Sequence, residues 1–162
     1  MSYRTFARSV PTVWIAVADR SAARFFLADW PTLDHFREIA DLVNPRGTLQ
    51  GREIYSDRFG RNHSPDGHSY VDVPSTDLRH YTAETFAIKI VRHLEDGRAH
   101  NQFGKLIVIA PPLMLGAIRE QYSAPLQKLI ELEIDKELIH APGIDVLQQV
   151  RTALDSRAVV LQ

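Results

Sequence analysis

Apolar residues occur along this chain as short unbroken runs, as stripes at spacings of three and four, and in strict alternation. Each pattern predicts a different element. Val13-Trp14-Ile15-Ala16-Val17-Ala18 is an unbroken run ending at Asp19-Arg20. Rich in β-branched and aromatic residues, it reads as a strand buried on both faces. Asp19-Arg20-Ser21 supplies turn residues, and Ala22 to Ala28 forms a second strand around Phe25 and Phe26. Trp30-Pro31 breaks that strand, and Leu33 to Val43 reads as a third, which completes an antiparallel meander.

Asn44-Pro45 closes the meander, and periodicity then vanishes as far as Arg79. The stretch holds Gly47, Gly51, Gly60 and Gly67 together with Pro45, Pro65 and Pro74. It is expected to be one long irregular loop, which is uncommon inside a domain and tends to carry function.

Helical spacing returns around Tyr81. Ala83, Phe86, Ala87, Ile90 and Leu94 form one apolar stripe, with Asp77 or Thr82 as cap and Gly97 following the helix end. Lys105 to Ala110 reads as a second buried strand closed by Pro111-Pro112. Pro112 to Tyr122 then reads as a helix with Leu115, Ile118 and Tyr122 on one face. From Leu129 to Asp135 the chain alternates, so Ile130, Leu132 and Ile134 should face one side and Glu131, Glu133 and Asp135 the other. This is the signature of a half-exposed strand near a sheet edge. Pro142-Gly143 leads into a last helix, Ile144 to Leu154, with Leu147, Val150 and Leu154 inward. The order is βββ–long loop–αβαβα: an α/β fold with a mixed β-sheet and helices packed on its faces.

The 162 residues are expected to form one domain, with a core between about residues 12 and 155. Without cysteine there are no disulfides, thiolate metal sites or cysteine nucleophile. The first residues lack the continuous apolar stretch of a secretory signal. The run Leu106 to Leu115 is too short, and too interrupted by proline, to span a bilayer. A soluble cytoplasmic protein with no membrane partner is expected. The net charge of −1 argues against a dedicated duplex-binding domain, so any nucleic-acid contact must come from a local patch.

That patch is sought in the loop, where Arg46, Arg52, Arg58 and Arg61 accompany Tyr55 and Phe59. Guanidinium groups suit phosphate, and aromatic rings can stack on unpaired bases. The plain alternative is that Glu53 and Asp57 pair with these arginines and pin the loop to the body. His63, Asp66, His68 and His80 offer metal-ligand chemistry but match no recognised spacing, so neither metal nor cofactor is expected. Asp19, with Glu84 and Asp135, is the only basis for a two-metal nuclease, and Asp19 already sits where a turn wants aspartate. Ser56-Asp57 lacks a G-x-S-x-G elbow. Ala110-Pro111-Pro112-Leu113 puts two prolines where a nucleotide-binding fold needs a glycine loop. No catalytic residue is assigned.

Five segments in order carry a family resemblance. They are Val17-Ala18-Asp19-Arg20-Ser21-Ala22-Ala23-Arg24-Phe25-Phe26, Asp41-Leu42-Val43-Asn44-Pro45, Ser56-Asp57-Arg58-Phe59-Gly60-Arg61, Phe86-Ala87, and Leu106 to Arg119. Together, over Thr12 to Leu154, the chain resembles the host attachment protein family, a bacterial group related to the central domain of archaeal and eukaryotic class-I peptide-chain release factors. The resemblance implies a release-factor-like fold and an association with RNA or the ribosome. The loop that carries Gly-Gly-Gln in those factors corresponds to Asn44 to Arg79, where the nearest string is Leu49-Gln50-Gly51. Peptidyl-tRNA hydrolysis is therefore not implied. The expected function is a non-enzymatic binding domain that contacts RNA or the ribosome through this loop. The alternatives are a metal-dependent hydrolase or nuclease acting on RNA or a phosphoester, and a protein-interaction module dimerising through the edge strand 129–135.

Overall fold

Strand β1 (Thr12–Ala18) lies at the centre of a five-stranded sheet in a computed structural model that describes residues 10–48 and 75–160. On one side it pairs antiparallel with β2 (Ala22–Asp29), which pairs antiparallel with β3 (Arg37–Val43). On the other it pairs parallel with β4 (Lys105–Ala110), which pairs parallel with β5 (Ile130–Asp135). The spatial order is β3-β2-β1-β4-β5.

Because successive side chains on a strand point to opposite faces, the unbroken apolar run of β1 feeds two cores. Trp14, Ala16 and Ala18 face one, which is covered by α1 (Ser75–Ala99), α2 (Pro112–Arg119) and the single turn α3 (Ala124–Gln127). Val13, Ile15 and Val17 face the other, beneath Val146 and Val150 of α4 (Gly143–Val160). The mixed α/β sheet with helices on both faces is the arrangement the sequence predicts.

Several boundaries differ from expectation, each for a local reason. β3 begins at Arg37, not Leu33, because Leu33 and His35 adopt left-handed backbone with φ of 63° and 57°. Leu33 is instead a buried turn residue, its N–H donating to the Asp29 carbonyl. The stretch Asn44–Arg79, expected to be irregular throughout, is regular at both of its described ends. Pro45–Thr48 is a 3-10 turn, and α1 already starts at Ser75. Polar residues suit a first helical turn, whose N–H groups have no intrahelical acceptor, and Asp77 there complements the helix dipole. Thr82 does not cap α1. It is buried within it, and its Oγ1 donates back to the Leu78 carbonyl at 2.8 Å. At the far end Gly97 lies inside the helix, which continues to Ala99.

The helix expected to reach Tyr122 stops at Arg119. Ser123 then opens α3, its Oγ accepting from the Leu126 N–H at 3.1 Å. The last helix runs on past Leu154 to Val160. β5 is an edge strand, as expected, but its faces are not as predicted. Register with β4 passes from Leu106↔Ile130 to Ile107↔Leu132, so Glu131 is an extra, bulged residue. Ile130 consequently packs on the Trp14 core, and Leu132 and Ile134 on the opposite one. Nor do the glutamates form a solvated face. Glu131 meets Arg157 at 2.8 Å and Lys105 at 3.3 Å, and Glu133 meets Arg119 at 2.9 Å. The other edge, β3, carries a similar irregularity at Ile39.

Two glycines show why residue pattern alone misplaces helix ends. A Cβ on Gly97 would lie 2.5 Å from Cη2 of Trp14 and 3.0 Å from Phe103, so α1 crosses Trp14 where only glycine fits. A Cβ on Gly116, inside α2, would meet nothing within 4 Å. Gly97→Ala is expected to lower unfolding free energy by about 1–3 kcal/mol through overpacking, outweighing its gain in helix propensity. Gly116→Ala should raise it by up to about 1 kcal/mol. Urea denaturation of the two variants measures both.

His93 stacks on Trp14 at 5.5 Å and contacts Phe25 at 4.3 Å, with its Nε2 buried and unpartnered. Burial holds its pKa below the ordinary 6.5, while the Asp96 carboxylate pulls the other way. The unfolded chain therefore takes up this proton first. The stability contributed by the neutral ring is complete above about pH 6.5 and is lost as pH falls towards the folded-state pKa. His93→Phe should give a shallower decline of melting temperature below that pH, read from melts across a pH series.

Candidate functional site

Strand direction gathers several loops at one edge of the sheet. β1, β4 and β5 are parallel, and β3 runs with them because β2 is antiparallel to both β1 and β3. Their carboxyl ends therefore lie together. From β1 the chain turns to β2 on one side, and from β4 it passes through α2 to β5 on the other. Connections that diverge from neighbouring strands leave a crevice between them, the place where open α/β sheets commonly bind ligands.

A cleft of about 410 Å³ occupies that position. Asp19, Arg20 and Ser21 follow β1, Gly47 follows β3, Pro111, Leu113 and Met114 follow β4, and Glu137 follows β5. Two locks set the β1 side. Asp19 Oδ1 accepts from the N–H and Oγ of Ser21, both at 2.7 Å, and from the Ala22 N–H at 2.9 Å. Asn44, which is buried, donates from Nδ2 to the Arg20 carbonyl at 2.8 Å and from its N–H to the Ser21 carbonyl at 2.7 Å. Its own carbonyl accepts from the Gly47 N–H at 3.0 Å. Gly47 is required here, since a Cβ would fall 1.8 Å from the Arg20 oxygen.

The arginines near this edge divide into two kinds. Arg24 is engaged within the body: Nε donates to Glu38 at 2.8 Å, and Nη1 donates to the carbonyls of Ile139 and Ala141 at 3.1 and 2.6 Å. Its guanidinium also lies 5.1 Å from the Phe26 ring centre. It ties the connection after β5 to β2. The side chains of Arg20, half-buried on the cleft, and Arg46, exposed on the 3-10 turn, have no ion pair or hydrogen bond with the described residues. The same holds for exposed Glu137.

Of the residues proposed from sequence, Arg46 is thus at the base of the irregular stretch. Arg52, Tyr55, Arg58, Phe59 and Arg61 lie outside the described residues, as do His63, Asp66 and His68. His80 and Glu84 are exposed on α1, and Asp135 is exposed at the end of β5. Among the described residues no group of three His, Asp or Glu is placed to hold a metal ion. No helix among them is long and apolar enough to cross a membrane. Sequence reading missed Arg20 and Glu137 because nothing local marks them. Strand order alone brings them to one cleft.

Asn44→Ala removes the Nδ2 donor and leaves the Arg20 carbonyl without it. It is expected to cost about 1–3 kcal/mol of stability and to speed amide exchange at Ser21 and Gly47, as hydrogen exchange followed by NMR would register.

Comparison with known proteins places the chain. An uncharacterized protein of Rickettsia prowazekii (strain Madrid E) is 35% identical over 68 residues, which cover 41% of this chain and 45% of that relative. A solved structure described as an archaeal protein aligns over 93% of this chain and 40% of its own, with 11% identity and a TM-score of 0.37. The family model described as "Protein required for attachment to host cells" matches residues 14–150. That match takes in β1 and reaches into α4, so the chain belongs to the host attachment protein family.

Proposed function

We propose that this protein is a non-enzymatic, cytoplasmic binding domain that engages structured RNA or the ribosome through the stretch Asn44–Arg79, chiefly by its arginines. The supporting observation is where that stretch is anchored. Its amino side holds the 3-10 turn Pro45–Thr48, whose Gly47 lines the cleft. Its carboxyl side runs into α1, a helix that packs against the 3-10 turn and whose other end leads to the amino end of β4. Both anchors therefore sit at the carboxyl edge of the sheet, beside the guanidinium groups of Arg20 and Arg46, which have no partner among the described residues.

With a net charge of −1, the whole molecule exerts no general pull on phosphate. Affinity would be concentrated where Arg46, Arg52, Arg58 and Arg61 lie close in sequence, with Tyr55 and Phe59 available for stacking. The resemblance to the release-factor central domain favours translation as the setting, and the absence of Gly-Gly-Gln favours binding over peptidyl-tRNA hydrolysis. Binding is also favoured over a metal-dependent hydrolase, because Oδ1 of Asp19 is already committed to the Ser21 and Ala22 donors.

Cosedimentation with ribosomes and filter binding to ribosomal RNA test the proposal. Arg58→Ala with Arg61→Ala should weaken binding at least about tenfold and reduce the log–log salt slope by roughly two, with the melting temperature unchanged. A fall in stability with binding intact would make these arginines structural. Capture of a partner that survives nuclease treatment would point to a protein ligand. Concentration-dependent sedimentation of the free protein would point to a dimer.

A further inference from the structure

The cleft is built from three kinds of surface that suit one small ligand. Pro111, Leu113 and Met114 give an apolar wall, and Met114 is itself nearly inaccessible, so the wall is backed by core. Arg20 offers a cation whose backbone is fixed by Asn44 and Gly47. Glu137 offers a carboxylate with no partner among the described residues. A volume near 410 Å³ is at the lower end of ligand sites and matches a single monomer.

A planar, aromatic ligand would satisfy the wall, since the aliphatic carbons of Pro111 and Leu113 pack well on a π-face. The two charges narrow the choice. An ionised carboxylate only accepts hydrogen bonds. Among the common bases, guanine presents two adjacent donors on its Watson–Crick edge, N1–H and the N2 amino group. Adenine, cytosine and uracil each place an acceptor beside their donor, which a carboxylate would repel. The cation suits one phosphate and no more, because Pro111 and Pro112 supply no N–H to cradle a polyphosphate.

We infer that the cleft binds a guanine nucleotide, with the base against Pro111 and Leu113, its donor edge on Glu137 and its 5′-phosphate on Arg20. The single-phosphate limit favours an unpaired guanosine within an RNA strand over a free nucleoside triphosphate. This deepens the RNA-binding proposal and rests on it. The cleft would read one base.

The full chain is titrated with GMP, AMP, CMP and UMP under two-dimensional NMR, and with a short oligouridylate with or without one central guanosine. GMP should shift the amides of Arg20, Ser21, Gly47, Leu113 and Met114, with AMP, CMP and UMP much less effective. One guanosine should tighten the oligonucleotide about tenfold. Glu137→Gln should abolish the preference for guanine, and Arg20→Ala should weaken GMP while leaving guanosine unchanged. Both side chains lie outside the packed core, and matching melting temperatures would confirm intact folds. Absence of cleft shifts with GMP, equal response to AMP, or guanine preference surviving Glu137→Gln would each overturn the inference. Binding of GMP but not the oligonucleotide would make the free nucleotide the ligand and overturn the RNA source. Arg58→Ala with Arg61→Ala separates the two proposals: it should lose RNA yet keep the GMP shifts. GMP binding without any RNA or ribosome binding sinks the function proposed above and spares the cleft. RNA binding without guanine preference does the reverse.

Discussion

Everything at the carboxyl edge depends on β1 being buried on both faces between an antiparallel neighbour and a parallel one. With Val13 to Ala18 almost wholly withdrawn from water, the strand cannot slide by one residue without exchanging its two cores. That fixed register holds the Asp19–Ser21 turn against the end of β4. The divergence of β2 from β1, and of α2 from β4, then follows from chain connectivity, and the cleft is what the divergence leaves open. The locks made by Asp19, Asn44 and Gly47 refine a position that the strand pairing has already set.

Within that edge, chemistry is distributed by what each polar group already has. Arg24 has two carbonyls, a carboxylate and an aromatic face, so its role is to hold the connection after β5 in place. Arg20 differs by only four positions in sequence, yet its guanidinium is unclaimed among the described residues. An arginine whose donors are spent on internal acceptors stabilises; one held by its backbone, with no partner for its tip among the described residues, is positioned for an outside ligand. The same contrast separates Glu131 and Glu133, each paired with arginine, from Glu137.

Much of this fold was legible in sequence because two-sided burial writes itself as an unbroken apolar run, as in Val13–Ala18 and Lys105–Ala110. What was illegible involved partners distant in sequence. Leu33 looked like strand because it is apolar, but its burial serves a turn with left-handed backbone. Gly97 looked like a helix stop, whereas its role is to let α1 approach Trp14. The alternation of Ile130, Leu132 and Ile134 misassigned a face because a bulge is a property of pairing with β4, not of β5 alone. The site followed the same rule. Arg46 was visible as one of several arginines in an aperiodic stretch, while Arg20 passed as a turn residue and Glu137 had no local signal at all.

The bulges bring a consequence for the molecule's behaviour in a crowded cell. β3 and β5 are the two margins of the sheet, and each is interrupted, at Ile39 and at Glu131. Along β5 the Glu131 carbonyl is further occupied by Arg157. A foreign strand laid along either margin would find its ladder broken after a few bonds. Interrupted margins of this kind hinder the edge-to-edge addition of further strands, so the sheet ends at five.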